Sequence, residues 1–172
     1  MNKKLILILI GFLWVGVALA MIASKNYTLR TGKTVLLETV PVDPRDFLRG
    51  DYVVLRYKIS DLDLSKIKTE KPHYSYGENI YVILKPGDKF WEAVAIQKNK
   101  SAAESEVIIK GKAGYSGRKE LGVRYGIESY FVPEGQGRDI ERSMRGNKSS
   151  VTVEALVDSS GNALIKNVYV EK

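Results

Sequence analysis

Few side chains in this sequence have the types and spacing that chemistry at a protein site requires. Cysteine is absent and His73 is the single histidine, so the usual general base and the usual thiolate and imidazole metal ligands are nearly missing. Ser116 and Lys119 have the S-x-x-K spacing of serine acyl-transfer enzymes, but the companion motifs of those enzymes are absent. The neighbouring glycines predict a flexible loop instead: Gly114, Gly117 and Gly122.

Two carboxylates are spaced so that they could share a cation. Asp61 and Asp63 are two residues apart, which would place both side chains on one face of a strand. Such a pair offers a divalent cation only a weak contact, and solvation of a sheet edge is the commoner explanation. His73 is expected in a surface loop without a ligand partner. The sequence therefore predicts neither a metal site nor a cofactor.

Tyrosine and arginine are concentrated in two segments, one around residues 49–57 and the other around residues 125–131. These residue types most often anchor protein interfaces. They also stabilise ordinary sheets through cross-strand aromatic pairs, so binding and packing both remain open. The binding hypothesis names Arg49, Asp51, Tyr52, Arg56, Tyr57, Tyr125, Tyr130 and Phe131.

The residues just before the first of these segments have the pattern of a capped turn. Asp43 can act as an N-cap, and Pro44 then falls at the first helical position, where its missing N–H costs nothing. Gly50 falls where a single helical turn would end in a residue at positive φ. We therefore predict structural roles in a turn for Asp43, Pro44 and Gly50.

The run GDYVVLRY, residues 50–57, resembles the GDYXXLXY signature that names a family of bacterial membrane-anchored proteins. All five fixed positions of the signature are filled. The upstream PVDPRDFLRG and the later YGIESYFVPEG also resemble that family, so the resemblance covers most of the chain after its N-terminal segment. It implies a membrane tether and an extracytoplasmic domain, in a family whose members often accompany multi-spanning membrane proteins. It implies no established reaction, so no catalytic roles can be transferred.

The N-terminal segment has the composition of a membrane span. After MNKK, residues 5–23 are uncharged, and these 19 residues approach the roughly 20 needed to cross a bilayer as a helix. Lys3 and Lys4 favour an N-terminus in the cytoplasm. An A-x-A sequence at residues 18–20 leaves a cleaved signal peptide as the alternative, but the apolar stretch continues past it. We predict a retained single-pass anchor over residues 1–23 and a short polar tether over residues 24–33.

From residue 34 onward, alternating apolar residues and turn signals predict β-strands. Residues 86–88 (PGD) predict a hairpin turn, and residues 133–145 predict one soluble helix. The expected fold of residues 34–172 is mainly β: a compact antiparallel sheet, curled toward a barrel or sandwich, with one packed helix. The predicted strands are residues 34–40, 52–59, 79–84, 90–97, 107–110, 151–157 and 163–170.

The net charge and the expected membrane topology together limit the classes of function that the chain can have. The net charge is +7, of which Lys3 and Lys4 contribute two, so the part expected outside the cytoplasmic membrane carries +5. A basic domain there meets anionic lipid headgroups or an acidic envelope partner rather than nucleic acid, and an ordinary solvated basic surface explains the charge as well. We predict an accessory or binding domain in the cell envelope that serves an integral membrane protein; an anionic lipid surface is a further candidate partner. The alternative is an envelope hydrolase with an unusual Asp, Ser or Lys centre that includes Asp51 or Ser116.

Overall fold

The computed structural model describes residues 3–40, 52–99, 103, 105–131 and 151–170. Over this part of the chain, one helix, α1 (Lys3–Thr31), is followed by β-strands and a 3-10 turn at Lys58–Ser60. The strands are β1 (Lys33–Val40), β2 (Tyr52–Val54), β3 (Arg56–Tyr57), β4 (Asp61–Asp63), β5 (Lys68–Thr69), β6 (Asn79–Pro86), β7 (Trp91–Gln97), β8 (Val107–Ser116), β9 (Glu120–Arg124), β10 (Ser129–Phe131), β11 (Val151–Val157) and β12 (Ala163–Val170).

The strands form a curled half-barrel built from three sheets. The largest has six strands in the order β4-β9-β8-β6-β7-β5, and a four-stranded sheet has the order β12-β11-β1-β3. Strands β10 and β2 form a separate pair. The pairing is antiparallel except between β5 and β7, which run parallel. The predicted mainly β architecture is confirmed.

The hairpin of β6 and β7 forms where the sequence predicts it. Three successive side chains of β6 are buried, Val82, Ile83 and Leu84, as expected of a central strand that is apolar on both faces. At the predicted turn, the Gly87 N–H donates a hydrogen bond to the Phe90 carbonyl over 2.9 Å. Strand β6 also pairs with β8 on its other side, which places it in the middle of the six-stranded sheet.

The predicted strand over residues 52–59 is divided into β2, β3 and the 3-10 turn. Its side-chain pattern is nevertheless as predicted. The four apolar residues at alternate positions of this segment are all buried, with at most 6% of their surface exposed: Val53, Leu55, Tyr57 and Ile59. Alternation of apolar residues therefore identified the core face correctly, although the strand is not continuous.

The flexible loop predicted around Ser116 is wrong, because β8 and β9 form a hairpin there. Strand β8 extends to Ser116, and the Gly117 N–H donates to the Glu120 carbonyl over 2.8 Å. The register between the two strands shifts between Ala113 and Ser116, as in a β-bulge. A Cβ on Gly114 would lie 3.2 Å from the Gly122 carbonyl oxygen, so glycine permits the close approach of the two backbones.

Helix α1 continues through residues 24–31, so the segment predicted as a tether is mostly helical. Near its end, Thr28 is buried and its Oγ1 donates to Asp158 Oδ2 over 2.6 Å. The Gly32 N–H donates to the Thr28 carbonyl over 2.9 Å. A Cβ on Gly32 would lie 2.5 Å from that carbonyl oxygen and 3.0 Å from the Leu156 Cβ. The helix therefore enters the domain through a tightly packed junction.

The turn between β11 and β12 forms the other half of this junction. Asp158 Oδ1 accepts hydrogen bonds from the N–H groups of Ser160 (2.7 Å) and Asn162 (3.0 Å). Burial raises the pKa of Asp158, but the hydrogen bonds from Thr28, Asn162 and Ser160 outweigh it and hold this pKa below its usual value. Gly161, at φ 82°, completes the turn. The junction thus centres on one ionised, fully hydrogen-bonded carboxylate.

Several predictions fall outside the described residues. They are the capped turn of Asp43, Pro44 and Gly50, the binding candidates Arg49 and Asp51, and the helix over residues 133–145.

Candidate functional site

The two segments rich in tyrosine and arginine lie side by side. Strands β2 and β10 pair antiparallel, with Tyr52 opposite Phe131 and Val53 opposite Tyr130. Immediately after β2, the Leu55 N–H donates to the Glu128 carbonyl over 2.7 Å. The structure therefore joins two segments that are about 70 residues apart in the sequence.

Tyr57 and Tyr125, both named in the binding hypothesis, lie in the core. The Tyr57 hydroxyl donates to the Ile127 carbonyl over 2.5 Å, and the Tyr125 hydroxyl donates to the Ile59 carbonyl over 2.6 Å. Burial raises the pKa of both phenols, so both remain neutral donors. Because the rings are covered and the hydroxyls are used internally, the structure does not offer these two residues to a partner.

Glu128 fixes the turn that connects Tyr125 to β10. Its carboxylate accepts hydrogen bonds from the Tyr125 N–H and, over 2.9 Å, from the Gly126 N–H. Gly126 has a φ of 81°, a conformation that favours glycine. The sequence YGIE is thus a carboxylate-closed turn rather than an exposed binding loop.

Arg56 is exposed and held by Asp61. Its Nε donates to Asp61 Oδ2 over 2.9 Å and its Nη2 donates to Asp61 Oδ1 over 2.7 Å, a bidentate arrangement. The hydrogen bonds and the charge of Asp61 raise the pKa of Arg56. A half-exposed pair of this kind contributes at most about 1 kcal/mol to folding, but it fixes the position of the guanidinium plane.

Next to Arg56 lies a shallow groove of about 350 Å³. Tyr76 and Tyr115 border it, and each has 77% of its surface exposed. The Arg124 guanidinium lies 5.7 Å from the Tyr76 ring centre, and its Nη2 donates to the Tyr76 hydroxyl over 3.3 Å. We call this surface the Tyr–Arg groove and define it by Arg56, Tyr76, Tyr115 and Arg124.

Sequence reasoning missed Tyr76 and Tyr115. Both are adjacent to glycine, Tyr76 in a turn and Tyr115 in the β8–β9 hairpin. An aromatic ring next to glycine in a turn has few neighbouring side chains to cover it, and this signal could have identified both. Of the predicted residues that remain, Tyr130 packs partly against the core and Phe131 is 76% exposed.

The described residues considered for catalysis or metal binding are not arranged for either, and Asp51 lies outside the described residues. Within the described part of the chain, no hydrogen bond joins the Ser116 hydroxyl to another group. Both Asp61 oxygens are engaged by Arg56, and Asp63 accepts from the backbone and hydroxyl of Ser65. The described residues contain no group of three or more His, Cys, Asp or Glu that could hold a metal ion.

Comparison with known proteins identifies one family. The family model described as GDYXXLXY protein matches residues 14–168, which is most of the chain. No curated protein and no solved structure matches the chain. Of the signature's fixed positions, Leu55 is 1% exposed and Tyr57 is fully buried. At these two positions the signature therefore maintains the core rather than a binding surface.

Proposed function

Since this chain belongs to the GDYXXLXY family, we propose that it is a membrane-anchored, extracytoplasmic binding domain that docks onto an integral membrane protein through the Tyr–Arg groove. The observation that carries the proposal is the composition of this groove. Two mostly exposed tyrosines and two arginines surround one concavity. Tyrosine and arginine are the side chains on which interface energy most often depends.

The groove is also preorganised for binding. Asp61 fixes Arg56, and Arg124 lies against the Tyr76 ring. Side chains that are already ordered lose less conformational entropy when a partner binds. The polar groups of the groove border apolar ring faces, as at the centre of a protein interface. These features support docking of a protein surface.

The anchor supplies the second argument. Helix α1 is long and apolar enough to cross a membrane. A domain held next to the bilayer meets membrane proteins at a high effective concentration, so even a weak contact is useful. Lys3 and Lys4 at its start favour the orientation with the N-terminus inside and the domain outside.

Site-specific photocrosslinking in the native membrane tests the proposal. A photoreactive amino acid is placed at position 76 or 115, and a matched control is placed at the exposed turn residue Asp88. We expect positions 76 and 115 to crosslink to the same membrane protein and position 88 not to do so. Arg56→Ala, in a chain that retains its melting temperature, should reduce both crosslinks.

Two outcomes contradict the proposal. In the first, position 88 gives the same crosslinks as positions 76 and 115. In the second, a folded Arg56→Ala, Tyr115→Ala chain retains every crosslink made from position 76, which would place the interface elsewhere.

A further inference from the structure

A second concavity lies between the end of α1 and the six-stranded sheet. It measures about 520 Å³, and its lining includes Asn79 and the turn residues Gly161 and Asn162. Four cationic side chains also line it, one from the helix and three from the sheet: Lys25, Lys110, Lys112 and Arg124. We call this concavity the basic cleft.

Among its described lining residues, the basic cleft has four cationic side chains and one carboxylate. Glu128 is the one carboxylate among its described lining residues, and its oxygens already accept the N–H groups of Tyr125 and Gly126. Lys25, Lys110 and Lys112 form no salt bridge with another described residue. The cleft therefore attracts an anion from outside the chain.

The position of Lys25 relates the cleft to the membrane. Lys25 follows the last residue of the uncharged stretch, Ala23, by two positions, so it lies about 3 Å farther along the helix axis. The polar region of a bilayer extends about 5–7 Å beyond the hydrocarbon on each side. With residues 5–23 in the hydrocarbon, the Lys25 ammonium lies at the level of the lipid headgroups.

The helix junction also fixes the turn that lines the cleft relative to α1. The hydrogen bond from Thr28 to Asp158 fixes the turn that contains Gly161 and Asn162. That turn is joined to the sheet, because the Lys110 N–H donates to the Gly161 carbonyl over 2.8 Å. The cationic side chains from the sheet are thus positioned relative to α1.

We propose that the basic cleft binds the phosphate of an anionic phospholipid headgroup in the leaflet that faces the domain. The site rests on the membrane anchoring in the proposed function, but it does not require the protein partner. A phosphate has the charge and the oxygens to accept hydrogen bonds from several lysines at once. A free phosphate ion would share this chemistry, but with α1 in the bilayer the lipid headgroups lie at the level of Lys25, which lines the cleft.

The test uses the full chain, purified from membranes in detergent, and native mass spectrometry to count retained lipids. Phosphatidylglycerol and phosphatidylcholine are supplied in equal amounts. The test variant is Lys110→Gln, Lys112→Gln, and the matched control is Lys66→Gln, Lys98→Gln, which removes the same charge outside the cleft. We expect the test variant to lose phosphatidylglycerol retention by about tenfold or more and the control to retain it.

Three results would overturn the proposal: equal lipid loss in both variants, no preference for phosphatidylglycerol over phosphatidylcholine in the parent chain, or displacement of the lipid by equimolar inorganic phosphate. The last result would identify a free anion as the ligand. Failure of the proposed function is measured separately. Fractionation reports whether the chain stays in the membrane, and crosslinks from position 115 report the protein partner in the same variants.

Discussion

At the scale of single residues, the final tyrosine of the signature has a structural explanation. Tyr57 and Tyr125 each donate a hydroxyl hydrogen bond to a carbonyl in the other's segment, at Ile127 and Ile59 respectively. This exchange connects the signature to the YGIE turn inside the core. A phenylalanine at either position would keep the ring but leave a buried carbonyl without its donor.

Tyr57→Phe is therefore expected to lower the free energy of unfolding by about 1–2 kcal/mol. Denaturant titration of the full chain in detergent measures the change. Tyr115→Phe is the matched control and should have no effect, because the Tyr115 ring is mostly exposed. A Tyr57→Phe chain as stable as its parent would show that the internal hydrogen bond contributes nothing.

Glu154 gives a prediction about pH. Its carboxylate accepts hydrogen bonds from Lys166 (2.7 Å), Asn167 (2.8 Å) and Tyr169 (2.7 Å), and these lower the pKa of Glu154 to about 2. The unfolded carboxyl has a pKa of about 4.3. The stabilisation is therefore complete above about pH 4.3 and is lost as the pH falls toward 2.

Denaturant midpoints between pH 5 and pH 2 test this for the parent chain and for Glu154→Gln. The parent should lose more stability over this interval than the variant, since Gln cannot titrate. Glu92→Gln, at an exposed position of β7, should follow the parent. Parallel curves for the parent and Glu154→Gln would contradict the assignment.

At the scale of elements, the sequence predicts the strands best where burial alternates in a simple way. In β2, β3 and the 3-10 turn that follows them, every second residue fills the core as predicted. In β11 the predicted alternation is incomplete, because all seven residues are buried. Lys166, Asn167 and Tyr169 of β12 cover Glu154 on the second face, and Leu156 lies against the helix junction at Gly32. Such covering depends on distant segments, which local periodicity does not report.

The site was predicted less completely than the sheet, for a related reason. The sequence identified the two segments that pair as β2 and β10, but it could not tell buried from exposed tyrosines. Tyr57 and Tyr125 became internal donors, whereas Tyr76 and Tyr115 became the exposed rings. Likewise, the sequence predicted a tether after the apolar stretch because the segment that follows it is polar. It could not show that Thr28 is buried against Asp158, because the two residues are 130 positions apart.

Gly32→Ala tests the helix junction. The added Cβ would lie 2.5 Å from the Thr28 carbonyl oxygen, so the helix end must shift, at an expected cost of about 1–3 kcal/mol. Hydrogen exchange should show faster exchange for the amide of Asn162, which donates to Asp158. Gly16→Ala is the control, because a Cβ there would meet no atom within 4 Å. Unchanged exchange in Gly32→Ala would contradict the tight junction.

At the scale of the whole molecule, the basic cleft lies next to α1 and the Tyr–Arg groove lies next to the basic cleft. The basic cleft includes Lys25 of the helix, and the Tyr–Arg groove shares Arg124 and Glu128 with the cleft. A lipid in the cleft and a protein in the groove would therefore lie next to each other. The proposed lipid site and the proposed docking site would thus be occupied side by side.

The proposed topology can be tested with single cysteines, because the chain has none of its own. A cysteine at Asp88 should react with a membrane-impermeant maleimide on intact spheroplasts. A cysteine at Lys3 should react only after the membrane is permeabilised. Labelling of Lys3→Cys in intact spheroplasts would contradict the orientation, and a mature chain that begins at Met21 would contradict a retained anchor.

The junction at Thr28, Gly32 and Asp158 also fixes the angle by which the domain is rotated about the axis of α1. Each residue of an α-helix advances the chain by about 1.5 Å and turns it by about 100°. Because α1 is continuous into the domain, in the proposed anchored state the number of residues between the bilayer and Thr28 sets the azimuth at which the domain faces its neighbours in the plane of the membrane. One alanine inserted after Ala23 would turn the groove by about 100° while leaving every side chain of the groove unchanged. Recognition by a partner that also contacts α1 would then depend on helical phase as well as on the groove itself.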